Sequence, residues 1–183
     1  MRMISVFSIA LFLIALNSCR QEQNQNFQAD STYFSNSRTE IAVMLDSFNI
    51  AASEANYQKY FSYFTDDATY LGTDATEHWN KDSFMLWAKP FFDRGKAWHF
   101  VTIDRHIFFG GDTGIAWFDE LLDTQMKICR GSGIVINVNG KWKIAQYVLS
   151  MTVPNSKTDS VVDLKSSEED ILIKKIRNSS FNK

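Results

Sequence analysis

Arg130-Gly131-Ser132-Gly133-Ile134-Val135-Ile136-Asn137-Val138-Asn139-Gly140-Lys141-Trp142-Lys143-Ile144-Ala145-Gln146-Tyr147-Val148-Leu149-Ser150-Met151 decides the fold. Two apolar, β-branched runs flank Asn139-Gly140, the dipeptide best suited to a two-residue hairpin turn with positive φ at both positions. Arg130–Val138 and Lys141–Met151 therefore read as paired strands, with Pro154 closing the second. Upstream, Gly110-Gly111-Asp112 separates two more period-two runs, Trp98–Phe109 and Thr113–Asp123. Short turns between successive strands predict an antiparallel meander.

Before Gly95 the period is that of a helix. Ile41, Met44, Leu45, Phe48 and Ala52 recur every three or four residues from Thr39-Glu40 onward. Tyr57, Tyr60, Phe61 and Phe64 form a second helical turn, which Thr65-Asp66-Asp67 is expected to end. Ala68-Thr69-Tyr70-Leu71 is a short strand candidate. Lys81–Asp93 is a third helix carrying Phe84, Leu86, Trp87, Phe91 and Phe92, with Pro90 expected to distort its last turn. Helices first and strands after predict a segregated α+β domain over residues 38–155, with about four long strands, one short strand and three N-terminal helices.

Composition narrows the function. The chain has 183 residues, 19 Lys plus Arg against 21 Asp plus Glu, and a formal charge of -2. That balance gives no electrostatic footprint for nucleic acid. Aromatic residues make up 14%, and 19 of the 26 fall between Tyr57 and Tyr147, all five Trp among them. So many rings must fill a core or line a cavity, and aromatic walls with a few polar groups are the usual make-up of a small-molecule pocket.

The two ends of the chain read differently. Met1-Arg2-Met3 and the apolar run Ile4–Leu16 have the charge and length of a signal peptide over residues 1–18, too short to span a bilayer. Leu16-Asn17-Ser18-Cys19 resembles the bacterial lipobox. That resemblance implies cleavage before Cys19, acylation of Cys19 and a lipid-anchored protein of the cell envelope, facing the periplasm or the outside. With Cys19 acylated, Cys129 has no partner for an internal disulfide and reads as a small buried hydrophobe. Residues 19–37 are polar and read as a tether. Residues 156–183 turn polar again, with a short helix expected after Ser167.

The order of elements resembles the nuclear transport factor two-like superfamily. Four segments sharpen this to its SnoaL-like branch: Phe64-Thr65-Asp66-Asp67-Ala68-Thr69-Tyr70, Ala116-Trp117-Phe118-Asp119-Glu120, Arg130-Gly131-Ser132-Gly133, and the Asn139–Tyr147 hairpin. The resemblance implies a cone: a strongly bent antiparallel sheet closed by three helices around a pocket. Its members include isomerases, dehydratases, cyclases and domains that only bind ligands or partners, and sheet-mediated dimers are common among them.

The candidate site residues follow from strand parity. Asp119 and Glu120 are adjacent on a strand, so only one of them enters a cavity. A lone carboxylate among aromatics would have a raised pKa and could move protons. The resemblance implies Glu120 or Asp119 as a general base, with Tyr70 or Tyr147 as donor. The residues themselves equally allow an ion pair with Arg130 on the adjoining strand. Arg130 and Ser132 share parity, as do Trp142, Ile144 and Gln146, opposite Tyr147; a bulge would invert such an assignment. The expected ligand-binding set is Tyr70, Trp79, His99, Trp117, Glu120, Arg130, Ser132 and Gln146. His78, His99 and His106 form no metal-ligating spacing, so neither a metal nor a cofactor is expected. Gly131-Ser132-Gly133 lacks a nucleophile-elbow spacing and reads as glycines that ease curvature or helix approach. The first reading is a membrane-anchored domain that binds a small, partly polar ligand without catalysis. The alternatives are an isomerase, cyclase or dehydratase, and a protein-interaction or homodimerisation module.

Overall fold

A computed structural model describes residues 32–110 and 114–180. Cys19, the signal peptide and most of the tether lie outside the described residues, as does most of the Gly110-Gly111-Asp112 turn.

The domain is α+β. Helix α1 (32–53) leads to α2 (Tyr57–Ser62), β1 (Phe64–Leu71), β2 (His78–Asn80), α3 (Lys81–Asp93) and four long strands: β3 (Phe100–Phe109), β4 (Ile115–Thr124), β5 (Lys127–Val138) and β6 (Lys141–Met151). A one-turn 3-10 helix, Asn155–Lys157, precedes α4 (Thr158–Ser180). The strands form one curved, unclosed sheet in the order β2-β1-β6-β5-β4-β3. Asn139 and Gly140 both take positive φ, 52° and 80°, at the β5–β6 turn.

One pairing departs from the expected meander. β1 runs parallel to β6, which makes the sheet mixed. β1 also begins at Phe64, and Thr65-Asp66-Asp67, expected as a turn, lies within it. The chemistry of the two acids is still visible there. The register jumps from Phe64 opposite Ile144 to Thr69 opposite Gln146, and the surplus residues bulge outward with both aspartates exposed. Asp66 meets Lys81 at 2.9 Å. Trp79, placed before the third helix by sequence, sits in β2 opposite Tyr70.

Helix α1 takes in residues 32–37, assigned to the tether by their polarity, because Phe34 packs its ring 5.1 Å from Phe109. Its buried stripe is Ile41, Met44, Leu45, Phe48, Ala51 and Ala52. Ala55 in the left-handed region (φ 52°) separates it from α2, and the Asn56 side chain caps α2 by accepting from Lys59 N at 3.1 Å. Asn80 caps α3 in the same way, through Ser83 N at 2.9 Å. Pro90 lies inside α3, which continues to Asp93. The carbonyl that the proline leaves unpaired belongs to Leu86, whose exposed position lets water take it. At the C-terminus, the short helix expected after Ser167 is a 23-residue helix that starts at Thr158.

Helices α1, α2 and α3 cover one face of the sheet, and the core lies between, while α4 is largely exposed along its length. Phe48 stacks on Tyr60 at 4.4 Å, and Phe61, Phe64, Phe84 and Phe92 fill the layer around them. Each such ring contributes about 1.5–3 kcal/mol by burial. Cys129 is free and fully buried, as a small hydrophobe should be. Among the described residues, no helix is long and apolar enough to cross a membrane.

Candidate functional site

Two separate arrangements occupy the inner side of the sheet. The first is a buried polar cluster centred on Glu120, which is 1% exposed. Arg105 on β3 lies directly opposite it in the ladder. Arg105 Nη2 is 2.7 Å from Glu120 Oε2, and Tyr147 Oη donates to Oε1 at 2.9 Å. The remaining Arg105 donors reach α1 and β3: Nη1 meets Asp46 at 2.9 Å and the Ala42 carbonyl at 3.0 Å, and Nη2 reaches Thr102 Oγ1 at 2.8 Å. Burial, the larger effect, pushes the Glu120 carboxyl above its ordinary range, while Arg105 and Tyr147 pull it back. Burial and the neighbouring Glu120 drive the Tyr147 phenol well above its usual value, so it stays a donor.

The adjoining glycine is explained by the same cluster. A Cβ on Gly131 would overlap the Tyr147 hydroxyl and press on Glu120, and one on Gly133 would overlap the Gln146 carbonyl and press on Phe118. These glycines make room for side chains and, at Gly133, for backbone of the sheet itself, rather than for a helix.

The second arrangement is a cavity of about 230 Å³ at one end of the sheet. Its walls come from Tyr70 (β1), Trp79 (β2), Phe84, Trp87 and Phe91 (α3), Trp98 and Phe100 before and in β3, and Leu149 (β6). Glu77, Thr73 and Gln125 supply polar groups. The rings share an orientation: Phe84 lies within 14° of Tyr70, 20° of Trp79 and 22° of both Trp87 and Trp98. At the β4–β5 turn, the buried Thr124 hydroxyl donates to Lys127 O at 2.8 Å and accepts from Met126 N at 2.9 Å, which fixes Gln125 and Met126 against the cavity.

Of the expected site residues, Tyr70 and Trp79 line this cavity. Glu120 faces inward but belongs to the buried cluster; Tyr147, stacked on Tyr70 at 5.6 Å, lies on the same inner side. Asp119 points outward, where His106 and Arg130 approach it at 3.3 and 3.8 Å. Arg130 is therefore not the partner of Glu120. Ser132 pairs with Asp119 across the sheet on the same outer face. Trp117 is also outside, 46% exposed and stacked on Phe108 at 6.0 Å. His99 is exposed and does not line the cavity. Gln146 is inverted by a bulge at Ala145: Ile134 pairs with Gln146 but Val135 pairs with Ile144, so Trp142 and Ile144 face in, then Tyr147 and Leu149, with Gln146 outside.

Trp87, Phe91, Trp98, Glu77 and Gln125 complete the cavity, and Arg105 the buried cluster; none was among the expected site residues. The α3 apolar stripe already held Trp87 and Phe91. Reflecting β4 through the Gly110-Gly111-Asp112 turn sets 105 opposite 117, so the observed pairing of Arg105 with Glu120 was not legible from that turn. Among the described residues, no group of three His, Cys, Asp or Glu is placed to hold a metal ion.

The family profile of the SnoaL-like domain matches residues 41–154. The chain belongs to this family. Solved structures agree on the fold. An NTF2-like protein of unknown function from Pseudomonas putida superposes with a TM-score of 0.56 at 12% identity, over 66% of this chain and 90% of its own. A protein from Novosphingobium aromaticivorans, proposed to be a scytalone dehydratase, gives 0.57 at 13% identity over 67% and 89%. One from Streptomyces avermitilis, proposed to be a dehydratase of the NTF2-like family, gives 0.57 at 10% identity over 66% and 99%. No curated protein matches the chain.

Proposed function

We propose that this SnoaL-like domain binds a small, partly polar ligand in the aromatic cavity, without catalysis, while anchored to the bacterial envelope through Cys19. One observation carries the reading. The carboxylate best placed by sequence to act as a base, Glu120, has one oxygen on Arg105 and the other on Tyr147, and it does not line the cavity. A general base must reach the proton it abstracts, directly or through one water. The cavity itself offers ring faces and rim polar groups, the composition of a binding pocket. Its volume exceeds the roughly 150 Å³ that holds one benzene ring, so a small ring or a branched chain of similar bulk fits.

Calorimetric titration of fragments identified by thermal shift tests this. Trp79→Ala and Trp87→Ala weaken every fragment at least about tenfold, in line with one lost aromatic contact of over 1 kcal/mol, whereas Glu120→Gln leaves affinity within about twofold in the folded protein. Turnover of a carbonyl substrate that Glu120→Gln abolishes in a folded variant contradicts the reading. The anchoring is checked by palmitate labelling in cells, which Cys19→Ala removes; unchanged labelling contradicts it.

A further inference from the structure

We propose that the ligand of this cavity is a cation: a small alkylated ammonium group, seated against the tryptophans and neutralised by Glu77. The inference rests on the reading of the cavity as a binding site and names the class of ligand.

Glu77 is the single charged residue of the cavity lining, and no Lys, Arg or His lines it. Glu77 is half-buried and makes no ion pair with any described residue. A carboxylate in that position keeps most of its four acceptor sites unused, since its hydrogen bond is a single one from Asp74 N to Oε2 at 3.2 Å. A cavity with one unpaired negative charge and low-dielectric walls concentrates positive ligands and repels anions.

The carboxylate is placed rather than loose. The β1–β2 loop is closed by Gly72 N donating to the Glu77 carbonyl at 3.0 Å and Glu77 N donating to Asp74 O at 3.0 Å. The Asp74 side chain accepts from Thr76 N at 2.8 Å and from Thr76 Oγ1 at 2.6 Å. The Glu77 side chain lies over Gly72 so closely that a Cβ there would overlap it. Glycine at position 72 thus lets the carboxylate lie over the backbone beside the cavity.

The walls have the matching chemistry. Trp79, Trp87 and Trp98 form a run, with centroids 4.7 Å apart from Trp79 to Trp87 and 6.4 Å from Trp87 to Trp98. Indole has the strongest negative ring face of the aromatic side chains, and recognition of alkylated ammonium groups by grouped aromatics is its best-attested use. A quaternary ammonium donates no hydrogen bond, so it asks of its site what this one supplies: ring faces and a nearby negative charge. An anion would leave its charge unmet here.

The test is a pairwise titration of the full chain in non-ionic detergent, read by tryptophan fluorescence and calorimetry, with choline and its neutral carbon isostere as probes and sodium chloride as control. Choline is expected to bind at least about tenfold tighter than the isostere. Glu77→Gln removes most of that preference and leaves the isostere's affinity unchanged. Gly72→Ala, which pushes the carboxylate aside without removing it, does the same, and it separates charge placement from any folding effect of the first variant. Equal affinity for the two probes, or a preference that survives both variants, overturns the cationic assignment while leaving the cavity a binding site. Binding of neither probe overturns both the assignment and the reading it rests on.

Discussion

Glu120 is held from two elements at once, by Arg105 across the β3–β4 ladder and by the hydroxyl of Tyr147 on β6. Removing one partner of a buried pair strands the other charge, at a cost of about 3–5 kcal/mol. Arg105→Met is therefore expected to lower unfolding stability by that amount in urea titrations at neutral pH; a loss under about 1 kcal/mol contradicts the structural role. The pH dependence has a definite sign. The folded-state pKa of Glu120 lies above its unfolded value of about 4.3. Its contribution is then fully present below the unfolded pKa and declines as pH rises through the folded one. The stability difference between wild type and Glu120→Gln should fall across that window and level off above it, measured by urea unfolding at stepped pH. At this scale the sequence was half legible. Parity told that one of Asp119 and Glu120 enters, but the partner was sought on β5, where Arg130 faces out, and the ladder that brings Arg105 opposite is centred beyond the Gly110-Gly111-Asp112 turn.

The elements show why. Lys81–Asp93 and Lys141–Met151 match the sequence reading at both ends, because capping residues, apolar period and the Asn139-Gly140 turn all agree there. The β4–β5 turn carries no Gly, Pro or Asn, and Thr124 supplies the turn through its side chain, so β5 begins three residues before the expected start. The parallel β1–β6 pair was not legible, since parallel pairing of distant segments leaves no local signal. The bulge at Ala145 was foreseen as a hazard but not as a position; its effect is to turn Tyr147 inward beneath Gly131. Deleting Ala145 removes the unpaired residue and leaves Trp142, Ile144, Tyr147 and Leu149 on the inner face in strict alternation. That variant is expected to keep its near-ultraviolet circular dichroism; a lost spectrum would show that the strand cannot close over the missing residue and that the bulge itself holds the register.

Across the whole molecule, the aromatic excess serves two purposes that composition cannot separate. Phe48, Tyr60, Phe61, Phe64 and Phe92 seal the interior, while Trp79, Trp87, Phe91 and Trp98 line an opening at one end of the sheet. Arg105, paired with the buried carboxylate, joins α1 to the sheet, and the pair lies apart from that opening. The fold thereby keeps its buried ion pair for cohesion, and on the proposed reading it is the ring faces and the Glu77 carboxylate that meet the ligand. The five indole groups are well distributed to report on this division, since Trp79, Trp87 and Trp98 line the cavity, Trp142 is buried elsewhere and Trp117 lies on the outer face. The most direct test is nuclear magnetic resonance of the five indole N–H signals during titration with cavity-binding fragments. The account predicts that Trp79, Trp87 and Trp98 shift together, that Trp117 and Trp142 stay fixed, and that Glu120→Gln leaves the pattern intact. Shifts centred on Trp117, or a pattern abolished by Glu120→Gln in the folded protein, would contradict it.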